Sequence, residues 1–323
     1  MSARRIFFVG VNTGYARDGE PTEAFVSFFE ARSSPKLHCA IVGNVVVPGG
    51  EPTNPGTARI SSRYVWRDLA ARIARKGSVP GIQLASAWPA FVASASFKAK
   101  DTAAEIARAR ALVNGMTRTE VTSVLRSLEV GSRMAVDAGF LHVQLHAAHG
   151  YLFNVLLDDR LNRQASEVRL EIADWLRRWN KAGVETSVRI SLRSGDLAFD
   201  SLHTDQFYAT MALLPSTYLD VSSGYYAVDK RLIYPARKDV LAERHEQTYA
   251  LARAHSSKAF IASGRILASA VNWPSNVHFG VCRDLIANPG FLDDLDNGCK
   301  NRGKCHYFSR GATSLTCAKW RNR

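Results

Sequence analysis

The sequence has few cysteines and no long apolar run, and these absences exclude several classes of protein. Its five cysteines in 323 residues are an odd number, so they do not form the paired framework of a small disulfide-stabilised protein. No apolar stretch approaches the roughly 18 residues that a membrane-spanning helix needs. The apolar stretch in MSARRIFFVG is too short for the core of a secretion signal. We therefore expect a cytoplasmic protein without a membrane partner.

Acidic residues are scarce relative to basic ones. The chain has 42 Lys and Arg against 29 Asp and Glu, a formal net charge of +13, which would suit a nucleic-acid partner. The basic residues, however, are spread along amphipathic segments, and no helix-turn-helix, zinc-finger or aromatic-basic RNA-binding signature accompanies them. We therefore expect a small anionic ligand rather than a nucleic acid, and a basic binding protein without a cofactor is the remote alternative.

Short apolar, β-branched runs alternate along the whole chain with stretches of helical periodicity. The runs cover residues 6–9, 40–47, 81–85, 141–145, 186–190, 218–221, 259–262 and 277–281, and the main helical stretches are 66–76, 117–139, 168–183 and 240–255. Because parallel strands need long crossovers, this alternation predicts a (β/α)8 barrel, an α/β fold. The glycine fingerprint of an open dinucleotide-binding sheet is absent.

The same pattern predicts the domain organisation. Residues 1–297 form one barrel, and residues 298–323 form a basic tail that contains cysteines. The segment 87–115, between the third and fourth strands, is longer than a crossover needs, and we expect a lid-like excursion there. Thr117 stands three residues before Glu120, the spacing of a capping box at a helix start.

Polar residues follow nearly every predicted strand, where the functional side chains of such a barrel lie. They are mostly amides, imidazoles and arginines, which recognise a planar polar ligand through directed hydrogen bonds. The scarcity of carboxylates argues against a metal site and against a two-carboxylate glycosidase. The candidates are Asn12, Thr13, Asn44, Gln83, His146, His149, Arg189, Ser223, Gly224, Gly264, Arg265, Cys282 and Arg283.

The segment GFLHVQLHAAHGYLFNVLLDDRLNR (139–163) carries the most specific signal. His146 and His149 can direct both imidazoles at one substrate oxygen, and Tyr151 carries a weak acid suited to delivering a proton. A coincidental pair on the surface and a metal-binding pair are the alternatives. Near the end of the barrel, Gly264 with the two arginines Arg265 and Arg283 indicates a phosphate site, unless they form only a turn with solvated arginines.

These residues resemble the old yellow enzyme family, the FMN-dependent ene-reductases built on a (β/α)8 barrel. The likeness covers almost the whole chain and is most specific in the H-x-x-H-G-Y segment and in GVCRDLIANPGF (280–291). It implies that FMN is the cofactor and NADPH or NADH the reductant. Hydride would pass through flavin N5 to an activated alkene such as an enone or enal. The partner would be a small-molecule substrate, and the resemblance allows a homo-oligomer.

The resemblance also implies roles for individual positions. Asn44 and Gln83 would contact the flavin pyrimidine ring, with Arg189 near its N1 and C2 oxygen. The phosphate would be bound by the last two strand ends, at Gly264, Arg265, Cys282 and Arg283. His146 and His149 would bind the activating oxygen of the substrate, and Tyr151 would protonate the adjacent carbon.

The chain departs from the family pattern around the flavin and at the mouth of the barrel. Asn12 stands where the family has Thr or Cys, Gly10 replaces a proline, and SAWP (86–89) replaces a His-Ala-Gly-Arg stretch. These departures leave open a second hypothesis, a flavin-dependent desaturase, oxidase or nitroreductase in a biosynthetic pathway.

The tail (298–317) resembles the segment with which larger relatives bind a 4Fe–4S cluster. Such a cluster needs four thiolates, and the tail has only Cys299, Cys305 and Cys317. A degenerate remnant without metal is the favoured interpretation. A zinc site of these three thiolates with His306 is the alternative.

Overall fold

The structure, a computed structural model, describes residues 4–89, 91, 96–268 and 271–322. Its strands are β1 (Ile6–Phe8), β2 (Ala16–Arg17), β3 (Glu20–Pro21), β4 (Cys39–Val46), β5 (Val79–Ala85), β6 (His142–Ala147), β7 (Glu185–Ser191), β8 (Tyr218–Ser222), β9 (Ala259–Ser263) and β10 (Val277–Val281). The strands β2 and β3 form a small antiparallel hairpin. The other eight are parallel and close into a barrel in the order β1-β10-β9-β8-β7-β6-β5-β4. The predicted (β/α)8 barrel is confirmed.

Helices surround this barrel. They are α1 (Glu23–Glu30), α2 (Tyr64–Arg75), α3 (Thr102–Gly115), α4 (Arg118–Asp137), α5 (Leu152–Leu157), α6 (Ala165–Lys181), α7 (Leu197–Asp200), α8 (Thr204–Ala212), α9 (Lys230–Ile233), α10 (Lys238–Ala254) and α11 (Arg283–Ala287). The four predicted helical stretches correspond to α2, α4, α6 and α10. At the start of α4, Thr117 and Glu120 form the predicted capping box. No helix within the described ranges is long and apolar enough to cross a membrane.

The strands explain where the core lies. Val, Ile, Leu and Phe side chains of the strands pack against the apolar faces of α2, α4 and α6 in one continuous cluster. Inside the barrel, by contrast, several strands carry buried polar side chains, among them Gln83, Gln144 and Asp220. These side chains form hydrogen bonds with one another, between β5 and its neighbour β6 and, across the barrel interior, between β6 and β8. Polar contacts therefore occupy part of the barrel interior.

The excursion between β5 and β6 is only partly described. Residues 90 and 92–95 lie outside the described residues, so the predicted lid stays a prediction there. Its second half is α3, which buries Ile106, Ala109 and Val113. The described remainder includes Ala99, whose amide donates to the carbonyl of Val228 at 2.8 Å.

The tail packs against the loop that follows β1. The amide of Leu315 donates to the carbonyl of Thr13 at 2.7 Å, and the Tyr15 hydroxyl donates to the carbonyl of Leu315 at 2.7 Å. The Tyr307 hydroxyl donates to Asn12 Oδ1 at 3.1 Å. The tail is thus joined to the end of the barrel where the predicted site residues lie.

Candidate active site

A deep cleft opens at the carboxyl ends of the barrel strands and encloses about 1150 Å³ of empty space, part of it open to solvent. Its lining contains no Asp or Glu among the described residues. Ten of the residues predicted from the sequence line it: Asn12, Asn44, Gln83, His146, His149, Tyr151, Arg189, Gly264, Cys282 and Arg283. The fold therefore brings together residues that are up to 271 positions apart in the chain.

The turn after β6 directs three of these side chains into the cleft. The ring centroids of His146 and His149 are 5.1 Å apart, and those of His146 and Tyr151 are 4.6 Å apart. His149 and Gly150 both have left-handed backbone conformations, with φ of 64° and 77°. A non-glycine residue adopts this conformation at a cost, so the surroundings must hold the turn in place.

Hydrogen bonds from three neighbouring segments hold this turn. The His149 amide donates to Ser191 Oγ at 2.9 Å, and Trp88 Nε1 donates to the Gly150 carbonyl at 3.0 Å. On the other side, the Tyr226 amide donates to the His149 carbonyl at 2.9 Å. Trp88, which belongs to the unusual SAWP stretch, thus supports the histidine turn directly.

Burial keeps all three groups uncharged near neutral pH. It lowers the pKa of His146 well below the ordinary 6.5, and the positive charge of Arg189 adds to the effect. The pKa of His149 is lowered well below that value too, by burial first and then by His146, Arg189 and Arg244. Burial raises the pKa of Tyr151 well above 10.0, although hydrogen bonds with Thr53 and Asn44 oppose the increase. Tyr151 therefore keeps its proton.

The contacts of Ser222 determine which nitrogen of His149 carries the proton. Nη2 atoms of Arg189 and Arg244 both donate to Ser222 Oγ at 3.3 Å, and guanidinium groups cannot accept. The Ser222 hydroxyl proton is therefore directed at His149 Nε2, 2.8 Å away. It follows that the neutral ring carries its own proton on Nδ1.

Four predicted residues do not line the cleft. Thr13 is buried, and its Oγ1 accepts from the Tyr15 amide at 3.2 Å. Ser223 is buried, and Gly224 has a left-handed backbone conformation with φ of 88°. Arg265 is exposed and borders a separate depression beside α10.

Asn12 lines the cleft, but its side chain is bound by protein groups. Its Nδ2 donates to Thr57 Oγ1 at 2.9 Å, and its Oδ1 accepts from the Gly14 amide at 3.0 Å. The same oxygen accepts from the Tyr307 hydroxyl. The amide of Asn12 is thus occupied in joining the β1 loop to its neighbours.

Several residues of the cleft were not predicted from the sequence. Arg244 lies on α10, where no strand end marks it, and its Nη2 donates to the Val221 carbonyl at 3.0 Å and to Ser263 Oγ at 2.9 Å. Burial lowers the pKa of Arg244 to about 9. Tyr226 and Tyr234 also face the cleft, and their hydroxyl groups share a hydrogen bond. The two consecutive tyrosines shortly after β8 are the sequence pattern from which Tyr226 could have been predicted.

The tail supplies a wall of the cleft that the sequence did not predict. Residues 305–309 line it, and the His306 ring lies 3.8 Å from the Tyr234 ring between centroids. Tyr307 Oη also accepts from Asn54 Nδ2 at 3.3 Å. An aromatic wall of Tyr151, Tyr226, Tyr234 and His306 therefore faces the space above the strand ends.

The cysteines of the tail are not grouped as metal ligands in the described part of the chain. No group of three or more His, Cys, Asp and Glu side chains there is arranged to hold a metal ion. Cys282, Cys299, Cys305 and Cys317 are all partly buried free thiols.

Comparison with known proteins assigns a family to this architecture. Residues 4–302 match the profile of the NADH:flavin oxidoreductase / NADH oxidase family. The resemblance to the old yellow enzyme family that the sequence indicated is thereby confirmed.

Individual relatives match over shorter stretches. The chain is 30% identical over 136 residues to a protein named NADPH dehydrogenase from Geobacillus sp. (strain WCH70). It is 28% identical over 134 residues to another of that name from Geobacillus thermodenitrificans (strain NG80-2). The matched part covers 39% of this chain and 39% of each of those proteins. A 4,4'-dithiodibutanoate disulfide reductase from Rhodococcus erythropolis is 38% identical over 56 residues, 17% of this chain and 14% of the reductase.

Proposed function

The chain belongs to the NADH:flavin oxidoreductase / NADH oxidase family, and from this membership we propose that it is an FMN-dependent NAD(P)H oxidoreductase. The finer proposal is that its substrate is an activated alkene, such as an enone or enal, and that Tyr151 donates the proton. The observation that carries it is the convergence of His146, His149 and Tyr151 on one cleft. The two Geobacillus relatives make NADPH the first reductant to test.

The polar groups of the cleft fit FMN. Asn44 Oδ1 and His146 Nδ1 are buried without a hydrogen-bond partner among the described residues, as expected of groups that face a polar ligand. Gly10 lets the backbone approach the Gln83 amide, because a Cβ atom there would lie 3.1 Å from Gln83 Oε1. These features provide acceptors and donors for a flat heterocyclic ring.

Two arginines of the cleft are available to bind the phosphate of FMN. Arg283 donates to Asn301 Oδ1 at 2.7 Å and to the Pro235 carbonyl at 2.8 Å, so its positive charge is not neutralised by a carboxylate in these contacts. Arg244 likewise donates only to uncharged oxygens, and its Nε has no partner among the described residues. Phosphate would restore the pKa of Arg244 towards its usual range. We propose that Gly264, Cys282, Arg244 and Arg283 surround that phosphate.

The histidine turn supplies the groups for the substrate. When bound, FMN supplies a two-electron carrier that accepts hydride from a reduced nicotinamide and passes it to an electron-poor carbon. The Nδ1–H of His149 and an N–H of His146 would donate to the oxygen of the activating carbonyl, and would stabilise the negative charge that develops there. A neutral imidazole N–H can donate this hydrogen bond without transferring its proton to the substrate. Tyr151, which retains its proton, would deliver it to the carbon beside the carbonyl.

The first test is a visible absorption spectrum of the protein after incubation with excess FMN and desalting. We expect retained flavin bands that bleach when NADPH is added without oxygen and return when an enone follows. Retained flavin that neither NADPH nor NADH bleaches would contradict the reductase, and oxygen uptake with a saturated substrate would favour the oxidase alternative. Loss of all flavin on desalting would contradict the cofactor assignment.

Replacing Tyr151 by Phe tests the proton donor. We expect flavin reduction by NADPH at the rate of the unmodified enzyme and a reoxidation by enone that is roughly 10²-fold slower, the typical contribution of a general acid. Stopped-flow absorbance separates the two half-reactions.

The matched control is Tyr225→Phe. Tyr225 is buried to a similar extent, but its hydroxyl contacts Asp158 and lies outside the cleft. Both half-reactions of this variant should keep their rates. Equal rates of enone reduction by the Tyr151 and Tyr225 variants would remove Tyr151 from the proposed role.

A further inference from the structure

A set of hydrogen bonds crosses the interior of the barrel directly beneath the cleft. At its centre, Gln144 Nε2 donates to Asp220 Oδ2 at 3.1 Å and to Ser187 Oγ at 2.9 Å. Gln144 Oε1 accepts from Gln83 Nε2. Asp220 Oδ2 also accepts from Arg189 Nη1 at 2.7 Å. Gln144 and Asp220 are fully buried and do not line the cleft, whereas Gln83 and Arg189 do.

The donor and acceptor roles in this set follow from one carboxylate. Asp220 can only accept, so the amide nitrogen of Gln144 must point at it. Both hydrogens of that nitrogen are then used, by Asp220 and Ser187, and the Gln144 oxygen is left facing Gln83. Gln83 consequently turns its nitrogen towards Gln144 and presents its carbonyl oxygen to the cleft. The opposite orientation of either amide would bring two donors or two acceptors together.

The hydrogen bonds below Gln144 agree with this assignment. Ser187 Oγ accepts from Gln144, so its hydroxyl donates to His142 Nε2 at 2.8 Å. His142 then carries its proton on Nδ1, which lies 3.4 Å from Glu185 Oε2. Burial lowers the pKa of His142, consistent with a neutral ring. Every hydrogen bond in this set, from Glu185 to Gln83, therefore has one donor and one acceptor.

Asp220 has a second effect, through charge. Its carboxylate and the Arg189 guanidinium are a buried ion pair, with side chains 0% and 9% exposed. Water screens such a pair only weakly, so the negative charge of Asp220 cancels much of the field that Arg189 exerts on the cleft. Arg189 therefore acts on a ligand there as a hydrogen-bond donor whose positive charge is offset in part by Asp220.

We propose that Asp220 and Gln144 are positioning residues for the cofactor: they fix Gln83 with its carbonyl oxygen towards the cleft, and Asp220 offsets part of the positive charge that Arg189 presents to the flavin. This proposal rests on the proposed function, because it assigns FMN to the cleft. A flavin offers an N–H donor in its pyrimidine ring, and the Gln83 oxygen would accept a hydrogen bond from it. Since the reduced flavin is the more negative form, an Arg189 paired with Asp220 would favour it less than an unpaired arginine would.

The decisive variant is Asp220→Asn, which keeps the size of the side chain and removes its charge. The affinities of oxidised and reduced FMN, related through the midpoint potential of the bound flavin, are the measurements. We expect the ratio of the Kd of oxidised FMN to the Kd of reduced FMN to rise roughly tenfold or more, because Arg189 regains its charge. An unchanged ratio would overturn the charge part of the proposal.

Asp158→Asn is the matched control. Asp158 forms a comparable buried pair with Arg160, at 2.7 Å, and neither residue lines the cleft. This variant should lose stability without any change in the ratio of the two affinities. A similar change in both variants would show that the effect comes from general destabilisation, and would overturn the proposal.

Two further variants keep the test decisive if Asp220→Asn does not fold. The double variant Arg189→Gln with Asp220→Asn replaces the ion pair, whose net charge is zero, by two uncharged amides. The midpoint potential of the bound flavin should therefore stay close to that of the unmodified protein. A midpoint potential much lower than that would mean that Asp220 does not offset the charge of Arg189 at the flavin. Gln144→Met leaves the ion pair intact and frees Gln83, so both FMN affinities should fall roughly tenfold with their ratio unchanged.

Unchanged FMN affinities in the Gln144 variant would overturn the amide part of the proposal. Failure of the unmodified protein to bind FMN would instead contradict the proposed function, so the two failures are distinguishable.

Discussion

His146 and His149 show how burial sets the charge of single side chains. Both rings are enclosed by the barrel end and have Arg189 as a neighbour, so the folded protein holds them neutral. In the unfolded chain each would bind a proton near pH 6.5. Below that pH the folded state therefore binds fewer protons than the unfolded state. This difference makes the free energy of unfolding depend on pH.

We expect the free energy of unfolding to fall as the pH drops below 6.5. A depressed histidine pKa makes the unfolded state the better proton acceptor, and the loss is about 1.4 kcal/mol per pH unit for each fully neutral histidine. Urea unfolding between pH 7 and pH 5 measures it. The double variant His146→Asn with His149→Asn should have a shallower slope over this interval, and an unchanged slope would show that these rings do not titrate as stated.

Some functional residues could be predicted from the sequence, and others could not. The histidines and Tyr151 follow an apolar run directly, and a strand followed by a turn is a pattern that a sequence displays. Asp220 lies inside such a run, and nothing in the letters YLDVS indicates that its side chain points into the barrel towards Gln144. Arg244 lies on an ordinary amphipathic helix, so its inward direction depends on packing alone.

Among the elements, α4 has the start that its sequence specifies most clearly. Thr117 Oγ1 accepts from the Glu120 amide at 3.2 Å, and Glu120 Oε2 accepts from the Thr117 amide at 2.7 Å. These contacts involve only residues near in sequence, so they could be predicted. The barrel strands were predictable for a related reason, because β-branched apolar runs of this length suit a buried parallel strand.

Replacing Thr117 by Ala should lower the free energy of unfolding by about 1 kcal/mol, the usual contribution of a helix N-cap. Chemical unfolding of the protein without cofactor measures the change. Thr119→Ala is the control, because Thr119 is exposed within the first turn of the same helix, where alanine is the better helix former. Equal losses in both variants would mean that the capping box adds nothing to stability.

On the scale of the whole molecule, the tail and the barrel form one structure around the cleft. Gly14 shows how closely they approach, since a Cβ atom there would lie 2.5 Å from the Thr313 carbonyl oxygen and 2.9 Å from the Tyr307 ring. Its φ of 69° is also a conformation that glycine adopts freely. The tail wall of the cleft was not predictable, because it depends on contacts between segments about 300 residues apart.

Gly14→Ala should therefore displace the tail. We expect trypsin to cleave the variant rapidly at the basic residues of the tail and FMN to dissociate faster, because residues 305–309 lose their place in the wall. Digestion followed by mass spectrometry, together with flavin release, gives both measurements. Gly183→Ala is the control: its φ of 82° imposes a similar backbone cost, roughly 1–2 kcal/mol, but nothing lies within 4 Å of the added Cβ. Identical digestion of the two variants would contradict a tail that is clamped by Gly14.

The pairing of β1 with β10 has a consequence for biosynthesis. A ribosome makes β1 first and β10 last among the barrel strands, and the wall at residues 305–309 emerges later still. A nascent chain that ends before β10 has neither a closed barrel nor a complete cleft. Capture of the cofactor must then wait until the tail has been translated, and a truncated product of an interrupted message would not retain a flavin.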